Sequence, residues 1–299
     1  MASPESLTTI RSRHDSLLST SSESKPLLRS AGPGLFDLPA ELRTTIYSLV
    51  FNTSDTYTDA FHSSPSSDAL VLNPSYAAST HLAPLLTCRQ FHSDAHLLAL
   101  SRVLFVVSNP YLALSLSARL SSLLSAQAIS SIRHIAIVAD ARHLRLLRSW
   151  SCSPFGIPSL SLSRLSIVLH RSSYWHYLFD FNVSLVSLLG CLHGVERLDI
   201  VRNDALVKGT LLTWYNRFIK LLLDTDRKER VRGVPELRWW AWEHCAEEQT
   251  VSLFARPPKN RHLDLRRYDE AMAPLYLELR LSIESEEEDP DPMSRVSPG

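Results

Sequence analysis

Glycine is scarce in this sequence, with eight residues in 299. A phosphate-cradling loop needs glycine so that successive backbone amides can close on the anion, and no such loop can be written here. Cysteine is scarcer still. Cys88, Cys152, Cys191 and Cys245 lie far apart, with no CxxC pair and no histidine at a spacing that fits zinc. Neither a GxSxG elbow nor an HExxH helix is present, so the usual hydrolase and metalloprotease frames are missing. No apolar run approaches the roughly 20 residues that span a bilayer, and the Ser-rich, charged start does not read as a signal peptide. A reducing, cytoplasmic or nuclear setting is therefore expected, with the cysteines as buried thiols. Net charge is also missing, since 31 basic residues balance 31 acidic ones. Setting aside residues 1–34 and 284–299 leaves 26 basic against 22 acidic residues, too weak an excess for a nucleic-acid groove or an anionic membrane. Lysine is nearly absent; arginine carries the positive charge.

What remains is ordinary apolar content, 44%, arranged with clear periodicity. Residues 1–34 hold nine serines and end in AGPG; they are expected to be disordered. The stretch LFDLPAELRTTIYSLVF (35–51) starts a helix. Asp37 can cap it, Pro39 suits the first turn, and Glu41 suits the positive end of the dipole. At 100° per residue Leu42, Ile46, Leu49 and Val50 form one stripe, expected to face the core. Tyr47 and Phe51 fall off that stripe, beside Arg43. Residues 52–83, rich in Ser, Thr, Asp and Pro, read as a long loop or insertion. LLTCRQFHSDAHLLAL forms a second helix, with Cys88, Phe91, Ala95, Leu98 and Ala99 on one face.

Strands then alternate with helices: 103–107, 132–138, 162–170, 195–201 and 236–242 as strands, with helices near 110–128, 141–150, 183–192 and 205–224. Arg133, Arg164, Arg197 and Arg238 each precede an alternating apolar run. That rhythm predicts parallel βα units stacked side by side. TVSLFAR and LYLELRLSI (275–283) alternate with period 2, as a half-exposed antiparallel edge does. The acidic tail from Glu284 is expected to be disordered. The fold class is thus mixed α/β: a tail at 1–34, a helical module at 35–107 with its insertion at 52–83, stacked units at 108–283, and a tail at 284–299.

Chemistry is hard to place on this frame. His244-Cys245 has the order of a phosphatase nucleophile, but Val251 stands where that loop needs arginine. No metal or cofactor site is expected, and no enzyme. Trp239, Trp240 and Trp242 are candidates for a substrate surface, because tryptophan is enriched at binding hot spots; core packing against the 205–224 helix is the competing reading.

Two phrases together carry a resemblance. Leu38, Pro39, Glu41, Leu42, Arg43, Ile46 and Tyr47, followed by Leu85 to Gln90 and Ala95, match an "LPxELRxxIY" helix and an "LLxTCRQxxxEA" helix, with Asp94 where Glu is usual. The pair resembles the F-box-like domain widespread in filamentous fungal proteins, and the later strands resemble degenerate leucine-rich repeats. The resemblance implies an adaptor that docks on the Skp-family subunit of a cullin-RING ubiquitin ligase and presents a protein substrate through its C-terminal region. Leu38, Pro39, Arg43, Tyr47 and Phe51 would form the docking surface, unless Tyr47 and Phe51 pack on the second helix. The alternative is a protein-binding scaffold outside any ligase.

Overall fold

The computed structural model describes residues 34–65, 68–109, 115–140, 143, 145–172, 176–231, 240–256 and 265–288. Of the tails expected at 1–34 and 284–299, residues 1–33 and 289–299 lie outside the described residues, as do the Arg238 and Trp239 positions. Of the described residues, 34–39 belong to one unit and those from Ala40 onward to a second. In the first, Leu35–Asp37 is a single 3-10 turn, and Asp37 accepts a hydrogen bond from the Gly34 amide at 2.8 Å.

The second unit is built on a six-stranded mixed sheet. Its strands are β3 (Leu104–Val107), β4 (His134–Ala139), β5 (Leu162–Leu169), β6 (Val195–Val201), β7 (Trp240–Cys245) and β8 (Thr250–Ala255). They lie in the order β3-β4-β5-β6-β8-β7, with the first four parallel and the last two antiparallel. The repeating arginines are thereby explained in part. Arg164 stands beside Arg197 in register, one rung above the paired Leu165 and Leu198. The TVSLFAR strand is antiparallel as expected but lies inside the sheet, between β6 and β7; the edge is β7.

Side chains alternate across a strand, so each rung serves one face. Ile135, Ile137, Leu165, Ile167, Leu198, Ile200, Val251 and Leu253 point to the larger core. The crossover elements lie on that side, including Leu185, Leu188 and Leu189 of the helix Asn182–Cys191 and Trp214, Phe218, Ile219 and Leu223 of the helix Leu211–Val231. Among the described residues of the expected 110–128 helix stand two short ones, Leu116–Leu123 and Ala126–Ser131. A 3-10 segment, Arg145–Trp150, stands within the expected basic helix. Gly194 shows why a glycine sits before β6: its φ is +71°, and a Cβ there would meet the Leu160 carbonyl oxygen at 2.8 Å.

The opposite face is covered by the segment expected to be a loop. Residues 52–83 contain α2 (Thr53–Ala60), a two-stranded ribbon of β1 (Phe61–Ser63) and β2 (Leu70–Leu72), and α3 (Ala78–Leu82). Ala60, Phe61 and Leu72 pack on Leu104, Ala136, Val138, Val168 and Val201 in a second, smaller core. Polar bonds fix the cover to the sheet: Tyr76 donates to the Leu104 carbonyl at 2.7 Å, and the Leu72 amide to Asn203 Oδ1 at 2.8 Å. Serine and threonine content suggested solvent because it caps and turns short elements; Asn52, for instance, caps α2.

Residues 275–283 are not a strand. They belong to a long helix, Leu265–Glu288, which also takes in the first residues of the expected acidic tail. Tyr268, Met272, Leu275, Tyr276 and Leu279 recur at helical spacing, and the last four of these pack on the larger core. The Tyr276 hydroxyl donates to Asp224, and Asn216 to Ser282, on the neighbouring helix. The period-2 pattern misled because Leu277 and Leu281 are exposed.

The cysteines also depart from expectation. Cys152 and Cys191 form a disulfide that ties the loop after Trp150 to the end of the Asn182–Cys191 helix, across a sequence separation of 39. Cys88 and Cys245 are free thiols, the first exposed and the second half-buried. For a loop of this length, reduction of the pair is expected to lower stability by about 2–4 kcal/mol. Urea unfolding with and without reductant reads this directly, and Cys152→Ser should remove the reductant dependence.

Candidate functional site

The two motif helices, α1 (Ala40–Val50) and α4 (Arg89–Arg102), form the first candidate site. Tyr47 and Phe51 are 2% and 1% exposed. The Phe91 ring meets Tyr47 edge-on at 4.9 Å between centroids and Phe51 at 6.1 Å. Arg43 pairs with Asp94, to which the Tyr47 hydroxyl also donates at 3.4 Å. Cys88 caps α4, its sulfur accepting from the Phe91 amide at 3.4 Å. The motif residues thus clasp one helix to the other. The outward docking role expected for Tyr47 and Phe51 is overturned, and so is the inward role expected for the aliphatic stripe.

The inner side is the one with an aromatic partner: both rings meet Phe91 of α4, and aromatic pairs add to plain area burial, so α1 turns its rings inward. Leu42 is left 52% exposed, Leu49 74% and Val50 47%, with Ile46 half-buried beside them. Leu86, just before α4, is also exposed. Pro39 is exposed and Leu38 half-buried, in the separate N-terminal unit.

Trp240 and Trp242 do not make an exposed surface, and Trp239 lies outside the described residues. Trp240 is buried, its indole N–H donating to the Leu189 carbonyl at 2.9 Å. Trp242 is half-buried against the same core. His244 and Tyr215 stack at 5.4 Å, and burial lowers the His244 pKa. Among the described residues no group of three His, Cys, Asp or Glu side chains could hold a metal, and no helix is long and apolar enough to cross a membrane.

Sequence reasoning missed a second candidate, on the covered face of the sheet. Asp199 of β6 is almost fully buried and accepts from Arg164 Nε, from Arg197 Nε at 2.8 Å and from Ser252 Oγ at 2.7 Å. Arg164 lies over the Tyr57 ring at 3.7 Å and donates through Nη2 to the Tyr57 hydroxyl at 2.6 Å. Beside it opens a cavity of about 310 Å³, lined by residues of α2 and by Leu104, His134 and Arg164. Burial pushes the Tyr57 phenol up to about 12, and burial with Arg164, Arg102 and Arg133 nearby pulls His134 down to about 4. Both are therefore neutral near pH 7. The signal was present in the Arg-before-strand rhythm, but one strand does not tell which face its arginine takes.

Comparison with known proteins gives no match: no protein-family model, no curated protein and no solved structure matches the chain.

Proposed function

We propose that the chain is a protein-interaction adaptor that docks through the outward face of α1 on the Skp-family subunit of a cullin-RING ubiquitin ligase. The observation that supports this most is the exposed Leu42, Leu49 and Val50 on the helix that carries the F-box-like motif. Apolar side chains gathered on one helix face of a folded protein mark a contact surface more often than chance. The docking set is accordingly revised from Leu38, Pro39, Arg43, Tyr47 and Phe51 to Leu42, Ile46, Leu49 and Val50. The same reading places the protein in the cytoplasm or nucleus, where the Cys152–Cys191 pair would be held reduced. It assigns the α/β body the task of presenting a protein substrate, and it assigns no catalytic residue.

The test is co-migration of the purified full chain with the Skp-family subunit on size exclusion. Burying one such side chain is worth roughly 1.5–3 kcal/mol, so Leu42→Glu with Leu49→Glu is expected to weaken binding at least about 100-fold, by the tenfold-per-1.4 kcal/mol conversion. The melting temperature should hold, since both positions face solvent. Failure of the unaltered chain to co-migrate would reject the ligase role. One observation favours a scaffold outside the ligase instead: residues 52–83, between the two motif helices, are built into the cover of the sheet. On that reading the same α1 variants lose a different protein partner.

A further inference from the structure

We infer that the cavity between α2 and the leading ends of β3, β4 and β5 is a binding site for a small organic monocarboxylate. This goes beyond the adaptor reading and does not depend on it.

Charge is the first reason. Arg164 and Arg197 share a single buried partner, Asp199, and Arg102 and Arg133 also stand near His134, with Glu248 near Tyr57, so positive charge exceeds negative around the cavity. The lining residues Thr53, Ser54, Tyr57, Leu104, His134 and Arg164 include no acid. A carboxylate would offset part of that surplus.

Donor geometry is the second reason. Arg164 spends Nε on Asp199 and Nη2 on the Tyr57 hydroxyl, while its Nη1 makes no hydrogen bond among the described residues. The Tyr57 oxygen accepts from Arg164 and, as a neutral phenol, keeps its own proton to donate. Both residues line the cavity, and a carboxylate has two oxygens to accept from two such donors. Asp199 grips the guanidinium from behind and the Tyr57 ring holds its face, so the donors are fixed before a ligand arrives. Neutral His134 can donate or accept on the same wall.

Shape is the third reason. A volume of about 310 Å³ lies at the low end of the 300–1,000 Å³ usual for ligand pockets. Leu104 and the Tyr57 ring supply apolar wall beside the donors, which suits a short aliphatic body. That body could belong to a free acid or to the end of a polypeptide chain.

The experiment is isothermal titration of the full chain with hexanoate, hexanamide, acetyl-Gly-Gly-Leu and inorganic phosphate. Hexanoate is expected to bind at least about tenfold more tightly than hexanamide, since only the acid makes charge-assisted bonds. Tyr57→Phe keeps the ring over Arg164 and removes the hydroxyl; it should weaken hexanoate about fivefold to tenfold. Arg164→Gln should abolish binding, and Tyr57→Phe keeps the test valid if that variant fails to fold. Acetyl-Gly-Gly-Leu binding at least tenfold more tightly than hexanoate supports a chain terminus as the source, and equal or weaker binding supports a free acid. Leu49→Glu should bind hexanoate as the unaltered chain does, which separates this site from the docking face. Equal affinity for acid and amide, heat from phosphate alone, no heat from either carboxylate, or indifference to Tyr57→Phe would overturn the assignment.

Discussion

Asp199→Ala is expected to destabilise the fold by about 3 kcal/mol, read as a lower urea midpoint. Asp199 is the single acid between two arginines, with its side chain 2% exposed. Removing it leaves both guanidiniums near the covered face of the sheet without a counter-charge, and leaves Ser252 Oγ without its acceptor. Breaking a buried pair by deleting one partner costs about 3–5 kcal/mol. The lower end applies here because Arg164 and Arg197 keep 23% and 36% of their side-chain surface exposed, so water screens part of the loss. Asp199→Asn tests the cause. The amide fills the same volume and accepts from Ser252, yet supplies no charge, so most of the loss should persist. If Asp199→Asn unfolds with the unaltered chain, the charges contribute nothing and the site is held by packing alone.

The same strand shows what could be read from sequence and what could not. Val195 to Val201 was legible as a strand, and the Arg197-Leu-Asp-Ile rhythm with Arg164-Leu-Ser-Ile placed the two side by side. Alternation gives period but not sign: it separates Leu198 and Ile200 from Arg197 and Asp199, yet leaves open whether the polar set meets water or another layer. That was decided by residues 52–83, more than a hundred positions away, whose Phe61 and Leu72 close the second core. Their composition pointed to a loop because short elements spend many residues on caps and turns. The helix from Leu265 was misread for a related reason. Alternating leucines fit a half-exposed strand, and only packing on the Leu211–Val231 helix selects the 3.6-residue period. The antiparallel strand Thr250–Ala255 was recognised, but its place inside the sheet depends on a neighbour, Trp240–Cys245, whose expected first residues, 236–239, lie outside the described residues.

In α1 the same ambiguity concerns which of two apolar sides wins, and this too can be measured. Phe51→Ala is expected to lower stability by about 3–5 kcal/mol, the usual range for deleting a buried aromatic ring. Phe51 is 1% exposed and leans on Phe91, which also receives Tyr47, so the void opens where the two motif helices join. Tyr47→Phe should cost less than about 1 kcal/mol, because it keeps the edge-on ring and loses only a long hydroxyl contact to Asp94, which Arg43 still holds. Leu49→Glu, on the opposite side, should stay within about 0.5 kcal/mol of the unaltered chain. The three together form a sign test for the helix. A stable Phe51→Ala beside an unfolded Leu49→Glu would mean that the aliphatic stripe is the inner face, and the aromatic pair would then return as the candidate docking surface. With the ring side structural, any loss of partner binding in Phe51→Ala should track the unfolded fraction and recover at lower temperature. Loss of binding in Leu49→Glu should persist in protein that is fully folded.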